Sequence, residues 1–182
     1  MIHPLADCQS SKIGENTSVW QYAVILSGAK LGSNCNINCH SFIENDVIIG
    51  DNVTVKSGVY IWDGLRIGDN VFIGPSVTFT NDLMPRSKQR VEFVRTTLEE
   101  GCSLGANSSI LAGVTIGKFS MVGMASVVVK DVPAYAIVYG NPAKIMGWID
   151  FKGNRLKPVD NERWLSVEGD SFIVENNVLR KV

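Results

Sequence analysis

The sequence predicts an all-β protein built as a parallel β-helix, in which coils of three short strands stack on one another. An apolar residue recurs at every sixth position, glycine is favoured directly after it, and the fifth position of each repeat is small or aliphatic. A fixed period indicates stacked repeats, and a period of six is typical of a β-helix. The residues that open the repeats are Ile13, Val19, Ile25, Leu31, Ile37, Ile43, Ile49, Val55, Ile61, Ile67, Ile73, Phe79, Leu98, Leu104, Ile110, Ile116, Val122 and Val128.

The repeats divide the chain into coils of 18 residues. After a lead-in strand and cap over 1–12, residues 13–84 supply four coils and residues 98–133 supply two more, so we expect about six coils. The opening residue of each repeat should point inward, and the fifth residue should fill the space beside it. No coil can bury its core alone, so neighbouring coils must stack. An ordinary β-sandwich is the alternative, but its turns vary in length and would break the register.

A segment over 85–97 interrupts the repeats and carries four Arg or Lys residues against one Glu. It cannot continue a wall of the β-helix, so we expect it to be extruded as a loop after the third strand of the fourth coil. A long loop on a regular scaffold is often functional. A merely solvated loop is the alternative.

The chain leaves the repeats through 134–149, with the sequence Gly-Asn-Pro-Ala-Lys at 140–144, and residues 150–182 lack the period of six. Two apolar runs around Asn176 and Asn177 predict a β-hairpin in this tail. We therefore divide the chain into a β-helix domain, 1–149, and a C-terminal tail, 150–182.

Composition and charge limit which classes of partner and which cellular compartment we expect for this chain. A formal net charge of -1 argues against nucleic acid as a partner. Without a membrane-length apolar run or a signal pattern, we expect no membrane partner and a cytoplasmic location. Cys35 and Cys102 occupy fifth positions and should be reduced core residues. Because Cys35, Cys39 and His40 do not converge and His3 is the one other histidine, we expect no metal.

One corner of the predicted β-helix is polar, because residues 18 apart lie above one another. It is formed by the third position of the repeat on the third wall, and the loop leaves the coil beside it. Asx residues that merely populate solvated turns are the alternative. The polar column consists of Asn45, Asp63, Asn81, Ala112 and Lys130, and a neighbouring column holds Asp46, Gly64, Asp82, Gly113 and Asp131.

Three stretches carry a resemblance to a known family: residues 59–64, residues 77–82 with the following 85–87, and residues 140–144. Together with the repeats, they resemble the left-handed β-helix acyltransferases that N-acetylate amino sugars on nucleotide carriers. Within that group, the 3-N-acetyltransferases of dTDP-3-amino-3,6-dideoxyhexoses are the most similar. The resemblance covers residues 10–150 and implies a left-handed coil and a role in making cell-surface glycan precursors such as O-antigen.

The resemblance also implies a homotrimer, with acetyl-CoA in the cleft between neighbouring β-helices. Ala112 and Gly113 would let the pantetheine arm approach the backbone, and an N–H group there would stabilise the oxyanion. Lys130 or Lys144 would meet a phosphate of the cofactor. Arg86 would hold the diphosphate of the nucleotide-linked amino sugar.

The implied reaction is direct attack of the 3-amino group on the thioester, which requires a neutral amine. The similar enzymes manage without a dedicated base, because the departing sulphur collects the proton. We therefore assign Asp63 and Asn81 to orienting the amine. Many hexapeptide acyltransferases use a histidine, so His40 is kept as a candidate base although it lies at a different corner. The substrate contacts assigned on the same basis are Asn45, Trp62, Asp82 and Arg86.

Two other functions stay open. Acetylation of a UDP-linked 3-amino sugar acid would use the same positions, but the carboxylate of that sugar would be repelled by Asp82. A non-catalytic β-helix scaffold is the alternative from a different class. A scaffold would have no reason to keep a basic loop beside a cleft of small residues.

Overall fold

The computed structural model describes residues 1–89, 92–150, 152–160 and 162–182, which form strands and turns without a helix. The strands in chain order are β1 (Asp7–Cys8), β2 (Ser18–Val19), β3 (Val24–Ile25), β4 (Lys30–Leu31), β5 (Asn36–Ile37), β6 (Phe42–Ile43), β7 (Ile48–Ile49), β8 (Thr54–Val55), β9 (Tyr60–Ile61), β10 (Arg66–Ile67), β11 (Phe72–Ile73), β12 (Thr78–Phe79), β13 (Thr97–Leu98), β14 (Ser103–Leu104), β15 (Ser109–Ile110), β16 (Thr115–Ile116), β17 (Met121–Val122), β18 (Val127–Val128), β19 (Ala136–Gly140), β20 (Ala143–Trp148), β21 (Lys157–Pro158), β22 (Arg163–Leu165), β23 (Ser171–Glu175) and β24 (Val178–Lys181).

The first nineteen strands build the three walls of a parallel β-helix of about seven turns. The first wall holds β4, β7, β10, β13 and β16 in spatial order, and the second holds β2, β5, β8, β11, β14, β17 and β19. The third wall holds β1, β3, β6, β9, β12, β15 and β18. The predicted all-β fold of stacked hexapeptide coils is therefore confirmed.

Register between coils follows the predicted period. Val24 pairs with Phe42 and Phe42 with Tyr60, each partner 18 residues further along the chain. After the loop the step becomes 31 residues, as in the pairing of Arg66 with Thr97, so thirteen residues are extruded without disturbing the stack. Parallel ladder bonds close each step, for example from Val24 N–H to the Ser41 carbonyl at 2.9 Å.

The core is a column of aliphatic side chains running along the inside of the coils. Seventeen of the eighteen residues that open the repeats are buried, and Ile13 in the first coil is half-buried. Burial of this column is the main favourable contribution to folding, since each side chain is removed from water by the coils above and below it.

Two of the fifth positions hold the buried cysteines expected there. Cys35 and Cys102 are 2% and 0% exposed, and both are free thiols. Burial raises the pKa of the Cys102 thiol to about 12, because an ionised sulfur would lose its hydration. Both cysteines therefore serve as small core residues.

The C-terminal part closes the last coil. Strand β20 pairs antiparallel with β19, and β21–β24 form a separate antiparallel sheet. The predicted hairpin is confirmed as β23 and β24, with Asn176 and Asn177 at φ 50° and 60° in its turn. Leu156 joins the core of the β-helix, and Phe172 packs against it. No helix of the described residues has the length and apolarity needed to cross a membrane.

Two adjacent isoleucines on β7 test this account of the core. Ile49 points inward and is 2% exposed, whereas Ile48 points outward and is 42% exposed. We expect Ile49→Ala to lower the free energy of unfolding by about 2–5 kcal/mol. The matched Ile48→Ala change should cost less than about 1 kcal/mol. Urea unfolding of both variants measures the difference, and equal losses would contradict the assignment of the inward column.

Candidate active site

The polar column forms at the corner between the third and first walls, as predicted. Asn45 and Asp63 each cap the coil below through a side-chain oxygen. The Asn45 Oδ1 accepts the Gly28 N–H at 3.0 Å, and the Asp63 Oδ1 accepts the Asp46 N–H at 2.6 Å. This bond satisfies the exposed side chain of Asn45, which gives it a structural role in the corner. The predicted substrate contact of Asn45 stays a prediction.

Asp63 lies at the centre of a charged network that the sequence analysis did not anticipate. Its N–H donates to the Glu44 carboxylate at 2.7 Å. The Arg66 guanidinium bonds both the carboxylate and the carbonyl of Asp46 at 2.6 Å. Asp63 is half-buried, and among the described residues its Oδ2 has no partner. One carboxylate oxygen is thus left to bind a ligand.

Asn81 lies one coil above Asp63 in the polar column. Asn45 and Asp63 each accept an N–H from the coil below, and by the same pattern Asn81 would accept the Gly64 N–H. The Gly64 N–H donates instead to the Asp46 carbonyl at 3.0 Å. Within the part of the chain that the structure describes, the Asn81 amide makes no hydrogen bond. Asp63 and Asn81 therefore present unpaired polar atoms about 4.8 Å apart along the stack.

Trp62 breaks the regular ladder beside this pair. In neighbouring coils the N–H of the second position donates to the coil above, as Glu44 does to the Ile61 carbonyl at 3.0 Å. At Trp62 the indole Nε1–H, rather than the backbone N–H, donates to the carbonyl of the coil above, which is that of Phe79, at 2.9 Å. The half-buried indole is thereby held at the edge of the corner.

The extruded loop differs from its predicted limits of 85–97. Thr96 is fully buried at a fifth position and Thr97 lies in β13, whereas Leu83 is already 51% exposed. The thirteen extra residues are therefore 83–95, because the coil resumes as soon as an inward-facing side chain can be buried. The loop includes Arg90 and Val91, which lie outside the described residues.

Both ends of this loop are held at the polar corner. At its start, the Asp82 carboxylate accepts the Met84 N–H at 2.8 Å, and at its end Val94 lies over Gly64 and Gly113. These glycines have φ of 91° and 87°, a conformation that disfavours side chains. Arg86 is exposed and donates to the Pro85 carbonyl. Its predicted contact with the diphosphate of the substrate stays a prediction.

Two predicted cofactor contacts are altered by the packing. Ala112 is 4% exposed and its N–H donates to the Thr80 hydroxyl at 2.9 Å. The Gly113 N–H donates to the Thr96 hydroxyl, also at 2.9 Å. Both N–H groups are thus bonded within the chain, to hydroxyls that reach them from the neighbouring coil. The predicted cofactor contacts of Ala112 and Gly113 stay predictions.

Lys130 and Lys144, the two lysines predicted to meet a phosphate, are both exposed. Lys130 lines a groove of about 220 Å³ together with Ala143 and Ile145. Lys144 lies between these two residues on β20, and successive side chains of a strand point to opposite faces, so it is not part of the groove lining. The contact of either lysine with a phosphate stays a prediction.

His40 lies at a different corner, between the second and third walls, as predicted. Its ring stacks on Tyr22 at 5.3 Å and 20°, and both residues have φ near 60°. It does, however, share a groove of about 420 Å³ with Trp62 across the outer face of the third wall. We call this the aromatic groove; it is lined by Tyr22, His40, Phe42, Tyr60 and Trp62 over Val24 and Ser41.

Sequence reasoning missed most of this groove and the Glu44 and Arg66 contacts of Asp63. A signal was present, because Phe42 and Tyr60 stand 18 residues apart at outward-facing positions where the other walls carry mostly polar residues. Their rings meet at 6.4 Å and 84°, in an edge-to-face arrangement.

A β-helix of hexapeptide coils with a polar corner beside an extruded loop is the architecture of a hexapeptide transferase. The chain matches the family described as Bacterial transferase hexapeptide (six repeats) over residues 10–45 and 46–81. It also matches Hexapeptide repeat of succinyl-transferase over 95–130. Together these matches cover more than half of the sequence, and the chain belongs to the hexapeptide-repeat transferases.

Particular relatives narrow the comparison. The chain is 56% identical over 70 residues to dTDP-3-amino-3,6-dideoxy-alpha-D-galactopyranose 3-N-acetyltransferase of Aneurinibacillus thermoaerophilus, covering 38% of this chain and 36% of that protein. It is 53% identical over 55 residues to a 2,3,4,5-tetrahydropyridine-2,6-dicarboxylate N-acetyltransferase of Clostridium perfringens, covering 30% and 23%. The chain thus aligns with about a third or less of each of these curated relatives.

Among solved structures, PerB from Caulobacter crescentus, in complex with CoA and GDP-perosamine, has a TM-score of 0.55 and 26% identity over 72% of this chain and 57% of its own. AntD, an N-acyltransferase from Bacillus cereus, was solved as a variant with dTDP and coenzyme A. It has a TM-score of 0.67 at 21% identity, covering 77% of this chain and 84% of that one. The AntD likeness shows the β-helix fold.

Two tryptophans test the role of the Trp62 indole in the corner. Trp62→Phe removes the donor to the Phe79 carbonyl, so we expect a loss of about 1–3 kcal/mol in the free energy of unfolding. Trp20 is the control, because this exposed indole donates its Nε1–H to the Asn36 side chain and not to a backbone carbonyl of the ladder. Trp20→Phe should cost less than about 0.5 kcal/mol. If urea unfolding gives the same loss for both, the indole does not support the corner.

Proposed function

We propose that this chain is an acetyl-CoA-dependent N-acetyltransferase of a nucleotide-linked amino sugar, acting on the 3-amino group of a dTDP-3-amino-3,6-dideoxyhexose. The observation that carries this proposal is the 56% identity over 70 residues to a 3-N-acetyltransferase of such a sugar. PerB, which shares the fold at 26% identity and binds CoA and GDP-perosamine, supports the wider class of donor and acceptor.

The corner fits this chemistry through its two unpaired polar groups. The free Oδ2 of Asp63 and the side-chain oxygen of Asn81 would each accept an N–H of the sugar amine. Because both are acceptors about one coil apart, they would direct the nitrogen lone pair away from the corner, toward a thioester. Asp63 is itself fixed through its Oδ1 bond to Asp46, which limits the reorganisation needed during the reaction.

The proposed reaction is a direct transfer. The lone pair of the neutral amine attacks the carbonyl carbon of the thioester and forms the C–N bond. The C–S bond then breaks, and the departing CoA sulfur takes the proton that the nitrogen loses. Asp63 is assigned to orient the amine through the N–H that its Oδ2 accepts, because in this scheme the departing sulfur, and not a side chain, takes the proton.

The charge of the corner favours an acceptor without a carboxylate. Glu44, Asp46, Asp63 and Asp82 place four carboxyl groups there, and Arg66 is committed to Asp46 at 2.6 Å. A dicarboxylate or a sugar acid would be repelled at this corner. This argues for an uncharged 6-deoxy sugar over the UDP-linked sugar acid, and over the dicarboxylate named for the Clostridium perfringens relative.

We further propose that the site is completed by neighbouring copies in a homotrimer. The N–H groups of Ala112 and Gly113 are bonded within the chain, which favours an oxyanion donor supplied by a neighbouring copy. Acetyl-CoA would then lie in the cleft between copies, with its phosphates toward Lys130 and Lys144.

Acetyl transfer to a panel of acceptors tests the proposed function. We expect release of CoA with dTDP-3-amino-3,6-dideoxygalactose or its glucose epimer. Turnover should be at least tenfold lower with a UDP-linked 3-amino uronate or with a tetrahydropyridine dicarboxylate. Faster turnover of either carboxylated acceptor would replace the proposed substrate class. Absence of both turnover and CoA binding would favour a scaffold.

The role of Asp63 gives a sharper prediction. Asp63→Asn keeps an Oδ1 to cap the Asp46 N–H but loses the charge, so stability should be nearly unchanged. We expect kcat/KM to fall about 10²-fold, or roughly 2.7 kcal/mol. Asn81→Ala should also be damaging, and His40→Ala should cost less than either, because His40 lies at another corner.

Asp69→Asn is the matched control for Asp63→Asn, since the Asp69 Oδ1 caps the Asp51 N–H at 2.8 Å in the same way at a different corner. It should leave kcat/KM within twofold of the parent. A pH–rate profile completes the test. If His40→Ala were the most damaging change and abolished a limb near pH 6–7, His40 would be the general base.

A further inference from the structure

Trp62 and His40 line the aromatic groove and were considered above as a substrate contact and a candidate base, but the acetyl transfer assigns no role to Tyr22, Phe42 and Tyr60. Its rings form two groups, the stacked pair of Tyr22 with His40 and the cluster of Phe42, Tyr60 and Trp62. Tyr22 is 54% exposed and Tyr60 is 51% exposed. These rings therefore gain little from burial within the chain, so folding alone does not account for their presence at the surface.

The backbone beneath the first group is also unusual. Tyr22 and His40 occupy a turn position with φ of 61° and 59°, and in the coils above them that position holds small residues or Asn. A left-handed conformation is costly for a bulky side chain. The equivalent small residues are Gly58, Ser76, Asn107 and Ala125.

A second aromatic pair in the chain shows how such a pair is otherwise covered. Phe119 and Tyr135 stack at 5.5 Å and 20°, again with positive φ. Both are partly buried, and Tyr135 faces Phe172 and Leu179 of the C-terminal sheet across a cavity. The described residues supply no such cover for Tyr22 and His40.

We propose that the aromatic groove binds the nucleobase of the sugar nucleotide, which rests on the proposed function. The lining side chains include no Lys, Arg, Asp or Glu, so the groove suits an uncharged planar ring rather than a diphosphate. A base has apolar faces that stack on aromatic rings and polar edges that stay hydrated. The exposed rings of Tyr22 and Tyr60 offer faces on which a base can stack while its polar edges stay in contact with water.

The position of the groove supports this occupant over the adenine of CoA. Its Trp62 end adjoins Asp63, where the sugar amine is proposed to lie, and its Tyr22 end lies two coils away, about 10 Å along the stack. Lys130, the phosphate contact predicted for the cofactor, lies on the opposite side of Asp63, beyond Ala112 in the polar column. A nucleotide sugar with its amine at Asp63 would therefore extend its base along the groove, away from the cofactor.

Charged groups near the Trp62 end are compatible with the diphosphate that joins sugar and base. The Glu44 carboxylate is engaged with the Asp63 N–H at 2.7 Å. The returning loop places the backbone of the exposed residue Arg95 beside Gly64 at the same corner. The aromatic groove, whose lining includes no Lys, Arg, Asp or Glu, would then hold the uncharged base.

Binding of dTDP, CoA and inorganic pyrophosphate to the full chain tests the proposal by titration calorimetry. Tyr22→Leu and Tyr60→Leu keep apolar volume but remove the ring faces. We expect each to raise the Kd for dTDP about 5- to 50-fold, because each removes a stacking surface for a base. The Kd for CoA and for pyrophosphate should change less than twofold.

Phe72→Leu is the matched control, since Phe72 is 40% exposed on the outer face of the second wall. It should change none of the three constants. An unchanged Kd for dTDP in both tyrosine variants, or a rise for CoA instead, would overturn the proposal. So would a change in oligomeric state on sedimentation, which would make the groove an interface between copies.

The acceptor assay separates this proposal from the proposed function. If the parent acetylates the amino sugar and the tyrosine variants keep its KM, the function stands and the groove assignment fails. If the parent binds dTDP through Tyr22 and Tyr60 but transfers no acetyl group to any acceptor, the groove stands and the proposed reaction fails.

Discussion

Strand pairing between successive coils is the interaction on which the rest of the structure depends. Strands β1–β18 are each only two residues long, so none has stability of its own, and each is held by parallel ladder bonds to neighbouring coils. The bonds require a step of 18 residues, which places each side chain directly over its counterpart. Inward columns then become a continuous core, and outward columns become functional surfaces.

Departures from that regularity occur around one corner. The indole of Trp62 replaces a ladder bond at 2.9 Å, and the coil opens to release thirteen residues just above it. The Gly64 N–H turns to the Asp46 carbonyl, which leaves Asn81 without the donor that its column would supply. Among the described residues, Asp63 and Asn81 thereby present polar atoms without a partner beside the extruded loop. Both side chains are half-buried, so these atoms are open to a ligand, and we take this corner as the candidate site.

The same corner shows why charge matters to the choice of acceptor. Carboxylates of Glu44 and Asp63 are fixed by backbone N–H groups, and Arg66 neutralises one neighbour, Asp46. The remaining negative potential suits an amine and a neutral sugar. The uncharged aromatic groove and the basic loop border it on different sides. Base, diphosphate and sugar would thus each meet a surface of matching polarity along one face of the β-helix.

Much of the fold could be predicted from the sequence, because a strict period constrains register, core and corners at once. The inward column, the buried Cys35 and Cys102 and the polar column with Asp63 and Asn81 follow from spacing alone, and the hairpin at Asn176 follows from two apolar runs around a pair of turn residues. A resemblance then indicated the chemistry of that column. Neither argument could reveal which polar atoms are already bonded.

The hydrogen-bond partners, the limits of the loop and the aromatic groove could be determined only from the tertiary structure. Whether Ala112 and Gly113 keep free N–H groups depends on Thr80 and Thr96, which reach them from other coils. The loop comprises 83–95 because Thr96 is the residue that fills the buried fifth position of the repeat when the coil resumes. His40 and Trp62 meet across one groove although they belong to different corners. Spacing along the chain determines which residues stack, but hydrogen-bond partners and grooves depend on contacts across the walls, which no local pattern encodes.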